Sequence, residues 1–460
     1  MNLRHAKIFL LLASVILVSM PARAATGTNS LVWNTAADRV SADVRGVALW
    51  PLLEDIAHQT GWHIFVEPAT ARNVDVKFSG LPSGDALHKL LGDLNFAFVP
   101  QTNGPSQLYV FTTRQENATQ RVLAPPAAKT GPQKHVPNEL LVKLKPGADI
   151  DALAKLFGAK VIDRNDKLGI YLLEFPDAAA TDAALAQMKN NSDVAAVDYN
   201  YIFDPLPAPQ SAANPLVGPP KLMFDAPTDG DPCNPIIGLI DTQVQTLGNG
   251  LDQFLMKPIS VVGDVAPVTG TITHGSAMAG TIADALAQSS GGHTSARILP
   301  VNVYESGDTT TTGHLIQGVV AAVNGGARVI NISAGGTSDS PVFDSAIQQY
   351  IAQGIIFFAS AGNTPVNTPT YPAAVPGVNA VTALGAPGQL ASYANYGSFV
   401  EMALPGTSYV FLGNQAYVVQ GTSPAAAYAS GIAAGTKTVN CAGWPQIISA
   451  MTQKFPVPQN

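Results

Sequence analysis

The sequence predicts an α/β protein in which a parallel sheet is covered by helices on both faces, preceded by two small α+β domains. Three observations lead there. From about residue 221 to 460, near-continuous apolar runs (PIIGLID, ARILPVNVY, ARVINISA, GIIFFASAGN, AVTALGA) alternate with helical stretches (SAMAGTIADALA, HLIQGVVAAVNG, FDSAIQQYIAQ); strands apolar on both sides belong to a parallel sheet buried between helix layers. Residues 138–203 follow a βαββαβ order, the ferredoxin-like split unit. Two stretches rich in Pro, Ala and Gln, residues 115–134 and 204–220, separate the blocks and read as exposed linkers.

The amino terminus carries Arg4 and Lys7, the apolar run IFLLLASVILVSM, and small residues Ala22 and Ala24 before Ala25, the pattern of a secretory signal peptide over residues 1–24. The run is shorter than the roughly 20 residues that a spanning helix needs, so a membrane anchor is the weaker reading. An exported chain, periplasmic or secreted, follows. With a net charge of -7 and no run of Lys and Arg, nucleic acid is not an expected partner.

The first block, residues 31–113, reads as strand RVSADVRG, a helix over VALWPLLEDIAHQTG with Val47, Leu49, Leu52, Leu53 and Ile56 largely on one face, strands HIFVE and VDVKFSG, a helix opened by Ser83, and strands FAFVPQ and LYVFTT. Its segment VRGVALWPLLEDIAHQTG resembles the short periplasmic domain at the front of secretins and TonB-dependent receptors. That resemblance implies an envelope protein as a partner; the residues themselves carry no chemistry. The second block, 138–203, runs ELLVKLK, ADIDALAKLFG, KVIDRND, GIYLLEF, TDAALAQMKN and VAAVDYNYI, an order that by itself says nothing of function.

In the third block, residues 221–460, polar groups stand where strands end or helices begin, the usual place for a site on a parallel sheet. Asp241 ends PIIGLI, His274 sits at the mouth of the helix SAMAGTIA, Asn363 follows GIIFFASAG, and Ser423 opens a small-residue helix in QGTSPAAAYASGIAAG. Each could be only a turn or cap residue. Together they supply a hydroxyl nucleophile, an imidazole base, an orienting carboxylate and an oxyanion donor, the set an acyl-transfer enzyme needs. His293, in GGHTS, and His314, at a helix start, lack such surroundings and read as surface or capping residues.

On the pieces GLIDT, THGSAMAGT, ARVINISAGG, GIIFFASAGN, TYPAAVPGVNAVTALGA, YANYGSFVEMALPG and GTSPAAAYASG, in the chain order Asp, His, Ser, the third block resembles the catalytic domain of a subtilisin-like serine protease. The second block, by its position, is similar to the propeptide of that family, a folding template and inhibitor. The resemblance implies a self-processing zymogen acting on protein or peptide substrates. It gives Ser423 as nucleophile, His274 as general base and acid, Asp241 as its orienting partner, Asn363 as oxyanion donor, and Ser333, Ala334 and Gly335 as the strand that pairs with substrate main chain. Gly335 and Gly336 would leave room for a substrate side chain.

The sequence departs from the family at Gln243, where Gly usually follows Asp-Thr, at Ala277 in place of a second histidine, and over Pro424–Tyr428 after the nucleophile. These leave a weak or inactive peptide-binding scaffold of the envelope as the alternative to an active protease. Pro424 is read as the first helical residue, where a missing N–H costs no helix bond. No cofactor is called for, no metal ligands are assigned, and the loop DALAQSSGGHTS does not resemble the calcium loop of secreted subtilisins. Cys233 and Cys441 stand near the ends of the third block; in an oxidising compartment they could form a disulfide contributing roughly 4 to 5 kcal/mol, the alternative being two buried thiols.

Overall fold

A computed structural model describes residues 30–458 except 36, 68–69, 71, 102–104, 123–133, 205, 213–217, 219, 227–232, 306–308 and 386–387. The signal-peptide stretch lies outside the described residues. Among them, no helix is long and apolar enough to cross a membrane. The chain forms two compact units, one of residues up to Leu52 with Phe65–Gln120, the other of Leu53–Ile64 with residues from Arg121 on.

In the first unit, strands Ser30–Asn34, Arg39–Ala48 and Asn73–Leu81 form an antiparallel sheet. Helix Ser83–Leu91 buries Ala86, Leu87, Leu90 and Leu91 at the spacing of one helical face. Strands Asn95–Val99 and Gln107–Phe111 pair as a hairpin. Val47, expected in a helix, instead pairs with Val74, so the strand runs on and the helix begins at Leu49. A β-branched residue opposite another is well placed in a sheet, and cross-strand pairing overrides the helical reading.

The second block has the expected βαββαβ order. Strands His135–Leu144, Lys160–Asn165, Ile170–Glu174 and Val194–Phe203 form an antiparallel sheet with the last strand beside the first and the second at the far edge. Helices Ile150–Phe157 and Ala178–Met188 are capped by the carboxylates of Asp149 and Asp177, which accept N–H groups of the first turn. One side of the sheet is its own core of Leu140, Val142, Leu173 and Met188; Leu141, Ile170, Leu172 and Phe203 share a core with the third block.

The third block carries seven parallel strands, ordered in space Ile259–Ser260, Arg297–Asn302, Ile236–Asp241, Val329–Ile332, Ile356–Ser360, Asn379–Leu384 and Met402–Pro405. The strand earliest in sequence thus lies inside the sheet, so the winding direction reverses beside Asp241, the switch point at which such sheets hold ligands. Alternate residues face opposite layers: Leu239 and Phe358 pack with Met278, Ile282 and Ala426, whereas Ile240 and Phe357 pack with Val319, Phe343 and Ile347. Helices His274–Ser290 and Thr422–Asn440 cross closely on the first face, because their touching residues are small; a Cβ on Gly431 would stand 2.5 Å from Ala285 Cβ and 2.7 Å from the Ile282 carbonyl oxygen.

Neither linker is wholly exposed. Gln120–Val122 is a strand, and the strand expected from residue 138 already begins at His135. In the second linker Pro209 is buried, and Gln210–Ser211 pair with Tyr417 and Val418 of the hairpin Thr407–Leu412/Gln415–Gln420, which leads into the helix carrying Ser423. Composition marks these stretches as unable to build a core; it does not register backbone pairing to an edge strand.

Candidate active site

Asp241 is the last residue of its strand and is fully buried. A buried carboxylate needs partners, and two are given: its Oδ1 accepts the Thr242 N–H at 2.8 Å, and His274 Nδ1 lies 2.8 and 3.0 Å from its two oxygens. With a carboxylate on that side, the imidazole carries its proton on Nδ1 and leaves Nε2 as the basic nitrogen.

His274 is the first residue of its helix rather than the cap. That role belongs to Thr273, whose Oγ1 accepts the Ser276 N–H at 3.1 Å. Gly275 then donates its N–H to Thr242 Oγ1 at 2.8 Å, and a Cβ there would stand 2.2 Å from the Thr242 carbonyl oxygen. Only glycine lets the helix of His274 come this close to the end of the strand of Asp241.

The helix carrying Ser423 begins at Thr422, with Gly421 as a cap that has no side chain. Ser423 is therefore the second helical residue and Pro424 the third, two positions later than expected. The physical argument for Pro424 survives, since the first four N–H groups of a helix lack an intrahelical acceptor. Sequence reasoning missed what replaces the cap: Asn363 Oδ1 accepts the Thr422 N–H at 2.8 Å and its hydroxyl at 3.1 Å. The amide is thereby oriented, with Oδ1 occupied and Nδ2 left as a donor; Nδ2 lies 3.1 Å from where a Cβ on Gly421 would be. Ser423 itself is buried to 3% exposure.

Ser333 and Ala334 follow strand Val329–Ile332 and are buried, whereas Gly335 is exposed. The Ser333 carbonyl accepts the Ser360 hydroxyl at 2.9 Å, and Gly336 exchanges two backbone hydrogen bonds with Tyr371, at 3.0 and 2.8 Å. His293 is an exposed residue of a two-residue strand beside Asp225. His314 lies in the first turn of helix Thr312–Asn324, which Thr311 caps, and its burial lowers its pKa. Cys233 and Cys441 are joined as a disulfide, their Cα atoms 5.0 Å apart. Among the described residues no group of three or more His, Cys, Asp or Glu could hold a metal ion.

Residues 233–454 match the subtilase family, and residues 123–200 match the fervidolysin N-terminal prodomain. Subtilisin DY of Bacillus licheniformis is 30% identical over 206 residues, which cover 43% of this chain and 74% of that protein. The chain belongs to the subtilase family. A thermostable alkaline protease of Halalkalibacterium halodurans is 35% identical over 170 residues, 36% of this chain and 47% of that relative, so the match spans less than half of the latter. The crystal structure of fervidolysin from Fervidobacterium pennivorans, a keratinolytic enzyme related to subtilisin, shares the fold at a TM-score of 0.54 and 20% identity, over 70% of this chain and 57% of that one.

Within this subtilase the unusual residues have structural employment. Gln243 donates its side-chain amide to the Ala266 carbonyl at 3.0 Å. Gln245 bonds the carbonyls of Val268 and Thr271, and its Oε1 accepts the Thr273 N–H at 2.8 Å. Together they hold the loop that delivers His274. Ala277 is fully buried in the apolar core. Tyr428 reaches Asp284 of helix His274–Ser290 at 3.2 Å; burial pushes its hydroxyl up to about 12 and raises the Asp284 carboxyl as well. Tyr428 thus ties two helices together, and the Asp241–His274 pair is intact.

Proposed function

We propose that this subtilase is an exported serine endopeptidase, made as a zymogen that cuts itself within or near its second linker, residues 201–222, and that Ser423, His274 and Asp241 are its triad. The observation that carries the reading is the buried His274 Nδ1 held 2.8 Å from Asp241, on a helix packed against the one that begins Thr422-Ser423. Ser423 Oγ attacks the scissile carbonyl and its proton passes to His274 Nε2; Asp241 stabilises the resulting imidazolium without taking the proton. The oxyanion is met by Asn363 Nδ2 and by the Ser423 N–H at the positive end of its helix. His274 then protonates the leaving amine, and a water, deprotonated by the same Nε2, hydrolyses the acyl-enzyme.

Peptide or protein main chain would pair along Ser333, Ala334 and Gly335, with Gly335 and Gly336 leaving space for a side chain. The prodomain is the first partner, consistent with the core that Leu141, Ile170, Leu172 and Phe203 share with the third block. Export is supported by the amino-terminal sequence pattern and by the Cys233–Cys441 pair, a bond that persists in oxidising compartments. The resemblance of residues 31–113 to the short periplasmic domain of secretins is what supports docking of that block on an envelope protein.

Mass spectrometry of the purified wild type and of Ser423→Ala tests the zymogen reading. The expected result is a new amino terminus within or near residues 201–222 in the wild type alone. Identical full-length chains, with peptide binding but no turnover, would transfer the protein to the scaffold reading.

A further inference from the structure

The loop that presents Asn363 is held from beneath by a side chain outside the triad. Asn395 is fully buried. Its backbone N–H donates to the Gly362 carbonyl at 2.9 Å, and its Oδ1 accepts the Thr364 N–H at 2.8 Å, so both neighbours of Asn363 are bonded to this one residue. Its own carbonyl accepts the Thr382 hydroxyl at 2.6 Å, which ties it to strand Asn379–Leu384. On the opposite side, Gly362 donates its N–H to Thr422 Oγ1 at 3.1 Å, and Asn363 Oδ1 bonds Thr422. The loop is therefore clamped between the nucleophile helix and Asn395.

The Nδ2 of Asn395 is buried with no hydrogen-bond partner. Buried polar groups are rarely left so, and the use of this side chain accordingly resides in its oxygen. The same amine accounts for Gly362, where a Cβ would lie 2.5 Å from it and force the loop away. An alanine at 395 would free the Thr364 N–H and let the residue after Asn363 move, although no atom of the triad would be touched.

We propose that Asn395 is a positioning residue for the oxyanion donor, fixing the backbone on both sides of Asn363 so that Nδ2 faces the reacting carbonyl. This rests on the role given to Asn363 above. A donor aimed at charge that develops only in the transition state affects kcat and leaves ground-state binding alone.

The test is a cycle of wild type, Asn395→Ala, Asn363→Ala and the double variant, with kcat and KM measured on a chromogenic peptide anilide. Removing an oxyanion donor lowers kcat about 10²–10³-fold, and misaiming it should lower kcat about tenfold with KM within about twofold. In the Asn363→Ala background the same change at 395 should alter kcat by less than about twofold, since nothing remains to aim. Thr382→Val, close to isosteric, removes only the hydroxyl that holds Asn395 and should show a smaller loss with the same dependence on Asn363; it carries the cycle if Asn395→Ala does not fold. Equal losses in both backgrounds, or no loss in the wild-type background, would overturn the proposal while leaving the endopeptidase reading standing. A wild type without turnover would overturn both.

Discussion

Asp344 gives a prediction whose sign is opposite to the usual behaviour of a carboxylate. It lies in the first turn of helix Pro341–Ile351, and its Oδ1 is buried without a hydrogen-bond partner. Burial, then the charge and hydrogen bond of Asp339, then the charge of Asp198 on the prodomain strand, raise its pKa from 3.8 to about 7. Tyr371 also faces Asp339 and Asp344, while the nearby Lys143 Nζ bonds Ser345. The folded protein therefore keeps a proton that the unfolded chain releases near 3.8, and its stability is fully present below that pH and lost as pH rises through about 7. At about 1.4 kcal/mol per pH unit the ceiling is ~4 kcal/mol. Asp344 is only partly buried, so solvent screening brings the expected effect to about 1–2 kcal/mol. Asp344→Asn, made in a Ser423→Ala chain to prevent self-cleavage, removes the ionisation. Thermal unfolding at pH 8 should show a Tm raised by several degrees over the parent, at about 2–4 °C per kcal/mol, and at pH 4 the two should nearly coincide. A gain of equal size at both pH values, or a loss at pH 8, would refute the reasoning.

Two further outcomes follow from the geometry. Gly275→Ala places a Cβ 2.2 Å from the Thr242 carbonyl and must push the helix of His274 off the strand of Asp241; if these two are the proposed base and its partner, kcat should fall at least about 10²-fold, as for a misplacement on the ångström scale, with circular dichroism reporting a retained fold. Replacing both Cys233 and Cys441 by Ser opens a link spanning 208 residues; the chain-entropy model gives a loss of about 5 kcal/mol, read as a Tm lowered by on the order of 10 °C.

Much of this fold was legible because its signals are local. Ile236–Asp241 and Ile356–Ser360 are apolar on both faces and can be read without knowing their neighbours. The positions of Asp241, His274 and Asn363 at element ends followed from the same runs. What escaped depended on pairing between distant residues. Val47 is drawn into a strand by Val74, Gln210–Ser211 by Tyr417 and Val418, and the start of the helix carrying Ser423 is set by Asn363, 59 residues before Thr422. The loop clamp of Gln243 and Gln245 was equally hidden, since its acceptors are backbone carbonyls that no side chain advertises. Family departures were visible in sequence only as departures; their bonds made them intelligible.

In the proposed mechanism Ser423 is a nucleophile activated by His274. A fluorophosphonate probe reports this directly, because it reacts with an activated serine and not with an ordinary helix-terminal hydroxyl. Labelling of the wild type at Ser423, located by peptide mapping and abolished in Ser423→Ala and His274→Ala, is the predicted result. Absence of labelling in a folded wild-type protein whose second linker has also stayed intact would contradict the account.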